Sequence, residues 1–455
     1  MSLRSFIAKK ISYPLQDLVN GTAILRTTEL LNRTQYWSPE EQESYQFEKL
    51  LRLLHHAVHH VPYYRELFRQ HSLSVSAIKG PDDLQKIPVL TRETARENNQ
   101  ALVAENMHRM RVIRGVTGGT TGPPLKLLRD SPDRSFTWAA FFRWYGWMGF
   151  GYGDRMVQLW GTPTVLHVPL SYRVRAAIKD FYYNRHIINS FHLNERTIPG
   201  VLDTIERTRP VFIRGYLSAL IQLAEYILKH EIRLTHIPQA VSSTTETLLP
   251  PYKTLIEKAF QSRLYDQYGC GECNSIAFDA GDRNGLYIAV EHCLLEILDE
   301  RNRTLAEGPG RFVVTNLDNF AMPFIRYENG DSGRFSPCDE KSKIRLPAVK
   351  EILGRTADTV TLKDGSRVHG VFFTDILNEL FTEHPSSIHR FQAVQSRPGS
   401  IEFRIEKDTP PDPSYLEAIE QALHQFFDEV HVVTMPALPG DASGKFRYIL
   451  PIPQT

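Results

Sequence analysis

Four cysteines (Cys270, Cys273, Cys293 and Cys338) are too few to staple a chain of 455 residues. That excludes a disulfide scaffold and points to a reducing compartment. Charge of one sign is lacking as well. The 53 basic residues stand against 52 acidic ones, which leaves no electrostatic footprint for nucleic acid or an anionic membrane. No apolar run approaches membrane-spanning length; the best stretch, residues 211–228, is broken by Arg214, Gln222 and Glu225. The opening M-S-L-R-S-F-I-A-K-K is basic but has no apolar core and no small-residue cleavage site, so no secretory leader is expected. Internal repeats and low-complexity segments are absent. What remains is an ordinary globular composition, 42% apolar and 23% charged, long enough for two or three domains. A cytoplasmic protein without a nucleic-acid or membrane partner is expected.

The chain is organised around V-T-G-G-T-T-G-P-P-L-K, residues 116–126. Thr117, Gly118, Gly119, Thr120, Thr121 and Gly122 cannot make a good helix or much of a core. Glycine lets backbone approach a ligand, and threonine hydroxyls add donors beside the freed N–H groups, a combination that suits phosphate. No Gly-Lys-Ser/Thr follows, so it is not a Walker A loop, and it does not have the G-x-G-x-x-G of a dinucleotide fold. Taken alone, it reads better as a flexible surface turn.

Residues 40–70 read as helix, with Leu50, Leu51, Leu54, Ala57 and Val58 at helical spacing, until Val61-Pro62-Tyr63-Tyr64 breaks it. His55, His56, His59 and His60 offer i, i+4 pairs. With no glutamate between them and no third ligand in view, they read as a polar helix surface. Thr91 is expected to cap a helix from Arg92. Residues 131–148 predict a helix rich in aromatics (Phe136, Trp138, Phe141, Phe142, Trp144, Trp147), read as core. An apolar strand at 156–160 and strand-to-loop passages at 209–216, 239–246 and 264–272 alternate with helices such as 217–229. That pattern argues for βαβ units and a mostly parallel sheet, with ligands at the carboxyl ends near Gly161, Gly215 and Tyr216. From 285 to 334 short alternating strands predict a β-rich subdomain. Past 351–358, which looks like a boundary, comes a smaller α+β unit. It has a hairpin 360–368 around Asp364-Gly365, a helix from Thr374, strands near 391 and 401, a helix over 413–427, and a mobile tail loop, 439–447, carrying Lys445.

In this order the Thr/Gly loop, Y-G-x-x-E (Tyr268, Gly269, Glu272), R-Y-x-x-G-D (ending at Asp331), G-R-x-x-D (Gly354, Arg355) and Gly444-Lys445 resemble the adenylate-forming, acyl-CoA synthetase superfamily. More narrowly, they resemble its phenylacetate–CoA ligase/CapK branch, over nearly the whole chain. The resemblance implies an α/β fold. A large N-terminal domain of parallel-sheet α/β subdomains plus a β-rich subdomain, 1–355, would be followed by a small mobile α+β C-terminal lid, 356–455. It implies an ATP-dependent ligase that turns a small acid, with aryl character suggested by Trp160 and Tyr216, into an acyl-adenylate and passes it to CoA. Thr117 to Gly122 would hold the β- and γ-phosphates and Glu272 would bind Mg²⁺. Tyr268 and Gly269 would flank adenine, and Thr244, Thr245 and Glu246 would line the adenosine site. Asp331 would accept from the ribose hydroxyls, Arg355 would reach ribose or phosphate, and Lys445 would bridge carboxylate and α-phosphate. Trp160, Tyr216 and Ser243 would border the acyl pocket.

The chain departs from the family pattern in places. Pro123 stands where a lysine is usual, with Lys126 further on; Gly271 replaces a hydroxyl residue; Ala357 occupies the hinge. Relatives carry a cysteine set suggestive of zinc, but here Cys338 is alone in the later segment and Ala280 replaces the earlier cysteine. Cys270, Cys273, His292 and Cys293 make an alternative set, disfavoured because adjacent residues rarely ligate one tetrahedral ion. Other outcomes stay open: an amine, hydroxyl or carrier-protein acceptor instead of CoA, or an inactive nucleotide-binding homologue. A homodimer also remains open.

Overall fold

The computed structural model describes residues 6–116, 125–160, 174, 180–181, 183–190, 193–244, 246–282, 284–336, 342–355, 359–365, 367–369, 372–373, 376–377, 380, 390–406, 413–438 and 447–450. The Gly/Thr segment 117–122, Thr245, Cys338, the boundary residues 356–358 and Lys445 lie outside them.

The chain opens with α1 (Tyr13–Asn20), α2 (Ile24–Thr34) and α3 (Pro39–His60). Sequence chemistry sets both ends of α3. The Ser38 hydroxyl accepts from the Glu41 N–H while the Glu41 carboxylate accepts from the Ser38 N–H, and Pro39 fills the first helical position. At the other end Pro62 forces Val61 into extended backbone (φ −113°, ψ 112°), and a second helix, α4 (Pro62–Gln70), starts there. The expected stretch 40–70 is therefore two helices hinged at Val61. Leu50, Leu53, Leu54 and Ala57 on one face of α3 are fully buried, and each of the leucines contributes about 1.5–3 kcal/mol. Thr91 caps α5 (Arg92–Glu97), its Oγ1 accepting from the Thr94 N–H at 3.1 Å.

A hairpin, β1 (Ile113–Val116) and β2 (Lys126–Arg129), frames the Gly/Thr segment. Then comes α6 (Ser131–Trp147), capped by Asp130, whose Oδ1 accepts from the Asp133 N–H. Trp144 and Tyr145 on α6 are buried core, as expected of the aromatic helix. Trp138, 38% exposed, is not, and with Phe141 it faces a cavity instead. The all-core reading of that helix is corrected at Trp138; Phe141, 5% exposed, is core that also borders the cavity.

One parallel sheet is present among the described residues. It comprises β3 (Met156–Leu159), β4 (Arg185–Ile188), β5 (Phe212–Gly215), β6 (Ala240–Ser242) and β7 (Leu264–Tyr265), in the order β4-β3-β5-β6-β7. Its helices are α7 (Ile198–Thr208), α8 (Leu217–Lys229) and α9 (Pro250–Phe260). The apolar stripes of these helices (Leu220, Leu223, Ile227; Ile256, Phe260) bury against Val157, Ile213 and Val241.

The β-rich part is a seven-stranded antiparallel sheet of β8 (Gln267–Tyr268), β9 (Ala277–Asp279), β10 (Leu286–Ile288), β11 (Cys293–Leu298), β12 (Pro309–Asn316), β13 (Tyr327–Ser336) and β14 (Ala348–Arg355), in the order β11-β12-β13-β14-β10-β9-β8. The expected strand-to-loop passage 264–272 opens on two short strands. Only Asp266 separates the end of β7 in one sheet from the start of β8 in the other.

The C-terminal part has a hairpin, β15 (Thr359–Thr361) and β16 (Arg367–His369), turning at Gly365 (φ +85°). Its mixed sheet has the order β19-β18-β17-β20, with β17 (Arg390–Val394), β18 (Ser400–Glu406), β19 (Glu429–Met435) and β20 (Ile449–Leu450), backed by α10 (Pro413–His424). Phe373, Phe391, Phe403 and Phe427 fill its core. The tail is not loop to its end: β20 pairs in parallel with β17, and Gln392 Nε2 donates to the Arg447 carbonyl. Among the described residues no helix is long and apolar enough to cross a membrane.

Candidate active site

The carboxyl ends of β3, β5 and β6, the edge of the antiparallel sheet from β8 to β10, and Arg447 to Ile449 of the C-terminal part enclose a cavity of about 850 Å³. Its position follows from topology, because loops leaving a parallel sheet open at that end.

One wall belongs to the antiparallel sheet. The Tyr268 hydroxyl donates to Asp331 Oδ2 at 2.7 Å and accepts from Asn329 Nδ2 at 2.6 Å. Asn329 Oδ1 in turn accepts from the Asp331 N–H. Burial, with the nearby Asp331 charge, holds the Tyr268 phenol well above its usual range, so it stays a donor. Glu272, 6% exposed, accepts from the buried Tyr327 hydroxyl at 2.7 Å. Gly269 has to be glycine: a Cβ there would come within 2.9 Å of the Ser275 backbone nitrogen, in a turn closed by the Cys270 N–H and the Cys273 carbonyl. Asp266, at the crossing between sheets, accepts from Ser243 Oγ at 2.8 Å, and burial pushes its carboxyl up to about 7.

Beneath this wall runs a buried polar chain. Arg129 lines the cavity, with its Nε 2.5 Å from Asp133 Oδ2 and its Nη2 donating to Thr137. Asp133 accepts from Asn316 Nδ2 at 2.9 Å, and His292 lies between Asp133 and Asp318, its Nδ1 2.9 Å from Asp318 Oδ2. Asp318 pairs with Lys49 at 2.7 Å on α3. Charges buried this deeply are tolerated only as a connected network.

The opposite wall is aromatic. Trp160 and Tyr216 stack at 4.6 Å, and Trp138 and Phe141 come from α6. Among these rings sits Arg214, 6% exposed on β5. Its Nη1 donates to the Tyr145 hydroxyl at 2.8 Å and its Nε has no partner among the described residues. Its Cζ lies 4.5 Å from the Phe141 ring centre and 5.7 Å from that of Trp160. Such ring contacts return about 0.5–2 kcal/mol, whereas stripping water from a fixed cation costs several kcal/mol. The charge of Arg214 is therefore under-compensated.

No family model matches the chain. It is 23% identical over 314 residues to Protein CapK of Staphylococcus aureus, spanning 68% of this chain and 67% of CapK. It is 23% identical over 409 residues to the phenylacetate-coenzyme A ligase of Thermus thermophilus, spanning 84% and 85%. These likenesses are to the phenylacetate–CoA ligase/CapK-like branch of the adenylate-forming superfamily. Among solved structures, 2-hydroxyisobutyryl-CoA ligase in its postadenylation state superposes with a TM-score of 0.73 at 18% identity, covering 92% of this chain and 91% of that one. The same ligase in its thioesterification state gives 0.58 over 92% of each chain.

The tertiary structure brings many of the residues expected of an adenylate-forming chain to the one cavity: Trp160, Thr244, Glu246, Tyr268, Gly269, Glu272 and Asp331 line it. Glu246 accepts from Ser218 Oγ at 2.9 Å. Arg355 is the backbone register partner of Asp331, with Gly354 beside it in left-handed backbone (φ +102°) on the cavity wall. Two expected pocket residues do not line the cavity: Tyr216 packs on Trp160, and Ser243 is fully buried on Asp266. Thr117, Gly118, Gly119, Thr120, Thr121, Gly122, Thr245 and Lys445 lie outside the described residues. Among the described residues no three His, Cys, Asp or Glu side chains converge as a metal site; His292 instead faces Asp318 and Thr137.

Sequence reasoning passed over Arg129, Arg214, Trp138, Phe141 and Asn329 as site residues. Arg214 had a signal: it is the one charge in the apolar strand Val211-Phe212-Ile213 and stands at that strand's carboxyl end. Asn329 had one too, lying inside R-Y-x-x-G-D two positions before Asp331, whereas Arg129 had none and reaches the cavity only through the fold.

Proposed function

We propose that this protein is an ATP-dependent ligase that activates a small carboxylic acid, aryl in character, as its acyl-adenylate and transfers it to CoA. The observation that carries this reading is that Arg447 to Ile449, two residues beyond Lys445, share one cavity with Tyr268, Glu272 and Asp331. Residues 1–355 would form the body that binds ATP and acid, and 356–455 the lid that delivers the lysine, in a cytoplasmic enzyme.

A carboxylate is a poor electrophile, so its oxygen must first attack the α-phosphorus of ATP, expelling pyrophosphate. The protein then has little covalent work and much positioning and charge neutralisation. Asp331, preset by Tyr268 and Asn329, would accept from the ribose hydroxyls, with Arg355 beside it on the paired strand. Thr244, Thr245, Glu246 and Gly269 would surround the nucleoside, and Thr117 to Gly122 would cradle the β- and γ-phosphates. Glu272 suits Mg²⁺, which takes one or two carboxylates and fills its remaining positions with water and phosphate oxygens. Lys445 would neutralise carboxylate and α-phosphate together as the new P–O bond forms. Trp160, backed by Tyr216, would shape the acyl end with Trp138 and Phe141. The same site then offers the adenylate carbonyl to the CoA thiolate, with AMP leaving.

The test is acid-dependent ATP–pyrophosphate exchange over a carboxylic-acid panel, followed by AMP release with CoA, hydroxylamine and carrier protein as acceptors. Exchange with at least one acid, and AMP release stimulated by CoA, are expected. Exchange with no acid despite ATP binding would sink the reading in favour of a nucleotide-binding homologue. Stimulation by another acceptor alone would move the second step from CoA to that acceptor.

A further inference from the structure

The geometry points to a second anionic group on the acid, held by Arg214: the substrate class is a dicarboxylate, or an acid bearing an equivalent oxyanion. This rests on the adenylating reading above and narrows it.

Arg214 is the third residue of β5, 94% buried by its 6% exposure, and it lines the acyl side of the cavity. A guanidinium cannot shed its proton to escape burial. It therefore needs an anion, and the cavity's own carboxylates are taken. Glu246 accepts from Ser218, Asp266 from Ser243, Glu272 from Tyr327 and Asp331 from Tyr268; Asp279 takes the Gly281 N–H and pairs with Lys253, and Glu351 pairs with Arg334. None of the described carboxylates forms an ion pair with Arg214, and its Nε is left without a partner. Ser242, its register neighbour on β6, is also fully buried, and its hydroxyl has no partner among the described residues. Register partners in parallel strands present side chains to the same face of a sheet, so two unmet polar groups lie side by side.

The reacting carboxylate is a poor match for this cation. It gives up its charge when its oxygen joins the α-phosphorus, which would leave the guanidinium unpaired again, and pairing beforehand would stabilise the ground state more than the transition state. A spectator carboxylate keeps its charge in the acid, the adenylate and the thioester, and it fits the planar fork of arginine. Trp160, Phe141 and Trp138 would then flank the short or aryl spacer between the two acid groups.

The test uses matched pairs, phenylacetate against 4-carboxyphenylacetate and pentanoate against glutarate, with ATP–pyrophosphate exchange and calorimetric binding as separate readouts. Wild type is expected to favour the diacid of each pair by about tenfold or more, and Arg214→Met to lower that diacid-to-monoacid ratio about 10²-fold, with Arg214→Lys in between. A ratio measured within one variant is insensitive to loss of folded protein. Equal or better use of the monoacids by wild type, or a ratio unmoved in Arg214→Met, overturns the assignment. The binding arm separates the two claims. Diacid preference in binding that disappears in Arg214→Met, with no exchange for any acid, upholds the Arg214 site while the ligase reading falls. Exchange without diacid preference does the reverse.

Discussion

Arg143 on α6 and Arg214 on β5 are both buried, and among the described residues both leave guanidinium N–H groups unpaired. Arg143 is closed into the core with Glu291 at 2.7 Å, and the Leu31 carbonyl also accepts from it. Arg214 opens on the cavity among aromatic rings with no described carboxylate paired to it. The difference teaches what each charge is for. A cation matched inside the fold holds elements together, and losing it exposes the cost of its partner. An unmatched cation at a cavity wall costs the fold something at rest and is available to a ligand.

The sharpest way to break that comparison is to remove both charges. Arg143→Met strands Glu291 in the core and is expected to lower stability by about 3–5 kcal/mol, read from the urea midpoint. Arg214→Met strands no buried charge, only the Tyr145 hydroxyl, and should lower the midpoint by clearly less than Arg143→Met does. Equal losses would show that the two arginines play the same part. Next in size is Lys445→Ala, expected to cut acid-dependent ATP–pyrophosphate exchange about 10²–10³-fold, the scale for removing one preset charge from a transition state. Exchange unaffected by that change defeats the role given to the chain's end.

Tyr268→Phe sharpens the contrast from the other wall. Without the hydroxyl, Asp331 and Asn329 lose their shared partner. The KM for ATP should rise about tenfold, the worth of one hydrogen bond to a charged group; an unchanged KM would remove Asp331 from ribose binding. The smallest effect is a pH dependence. Asp266 holds its proton in the folded state up to about 7, above its ordinary value of 3.8, because of burial. Its contribution to stability is therefore fully present below about pH 4 and is lost as pH rises through about 7. Asp266→Asn should gain stability relative to wild type across that window and no further above it, followed by thermal melting at stepped pH.

Much of the fold was legible because local chemistry fixes it. The capping box at Ser38, the break at Pro62, the Asp364-Gly365 turn and the 13-residue stripe of α8 each need only neighbours a few positions away. The switch at Asp266 was not legible. Leu264-Tyr265 and Gln267-Tyr268 look like one strand, and only long-range pairing, with β6 on one side and β9 on the other, divides them. The site divides along the same line. Glu272 and Asp331 could be singled out from motif chemistry, whereas the hydroxyl of Tyr268 linking Asp331 to Asn329 spans more than sixty positions and is invisible to spacing.

The order of residue types along the chain by itself determined the helices and their ends, the alternation that yields a parallel sheet, and a set of polar residues placed just past apolar strands, because these depend on backbone sterics and side-chain periodicity over one or two turns. Only the tertiary structure decided which charges are paired. Whether Arg214 or Arg143 meets a carboxylate depends on residues dozens of positions away and on the water excluded when sheets and helices close around them.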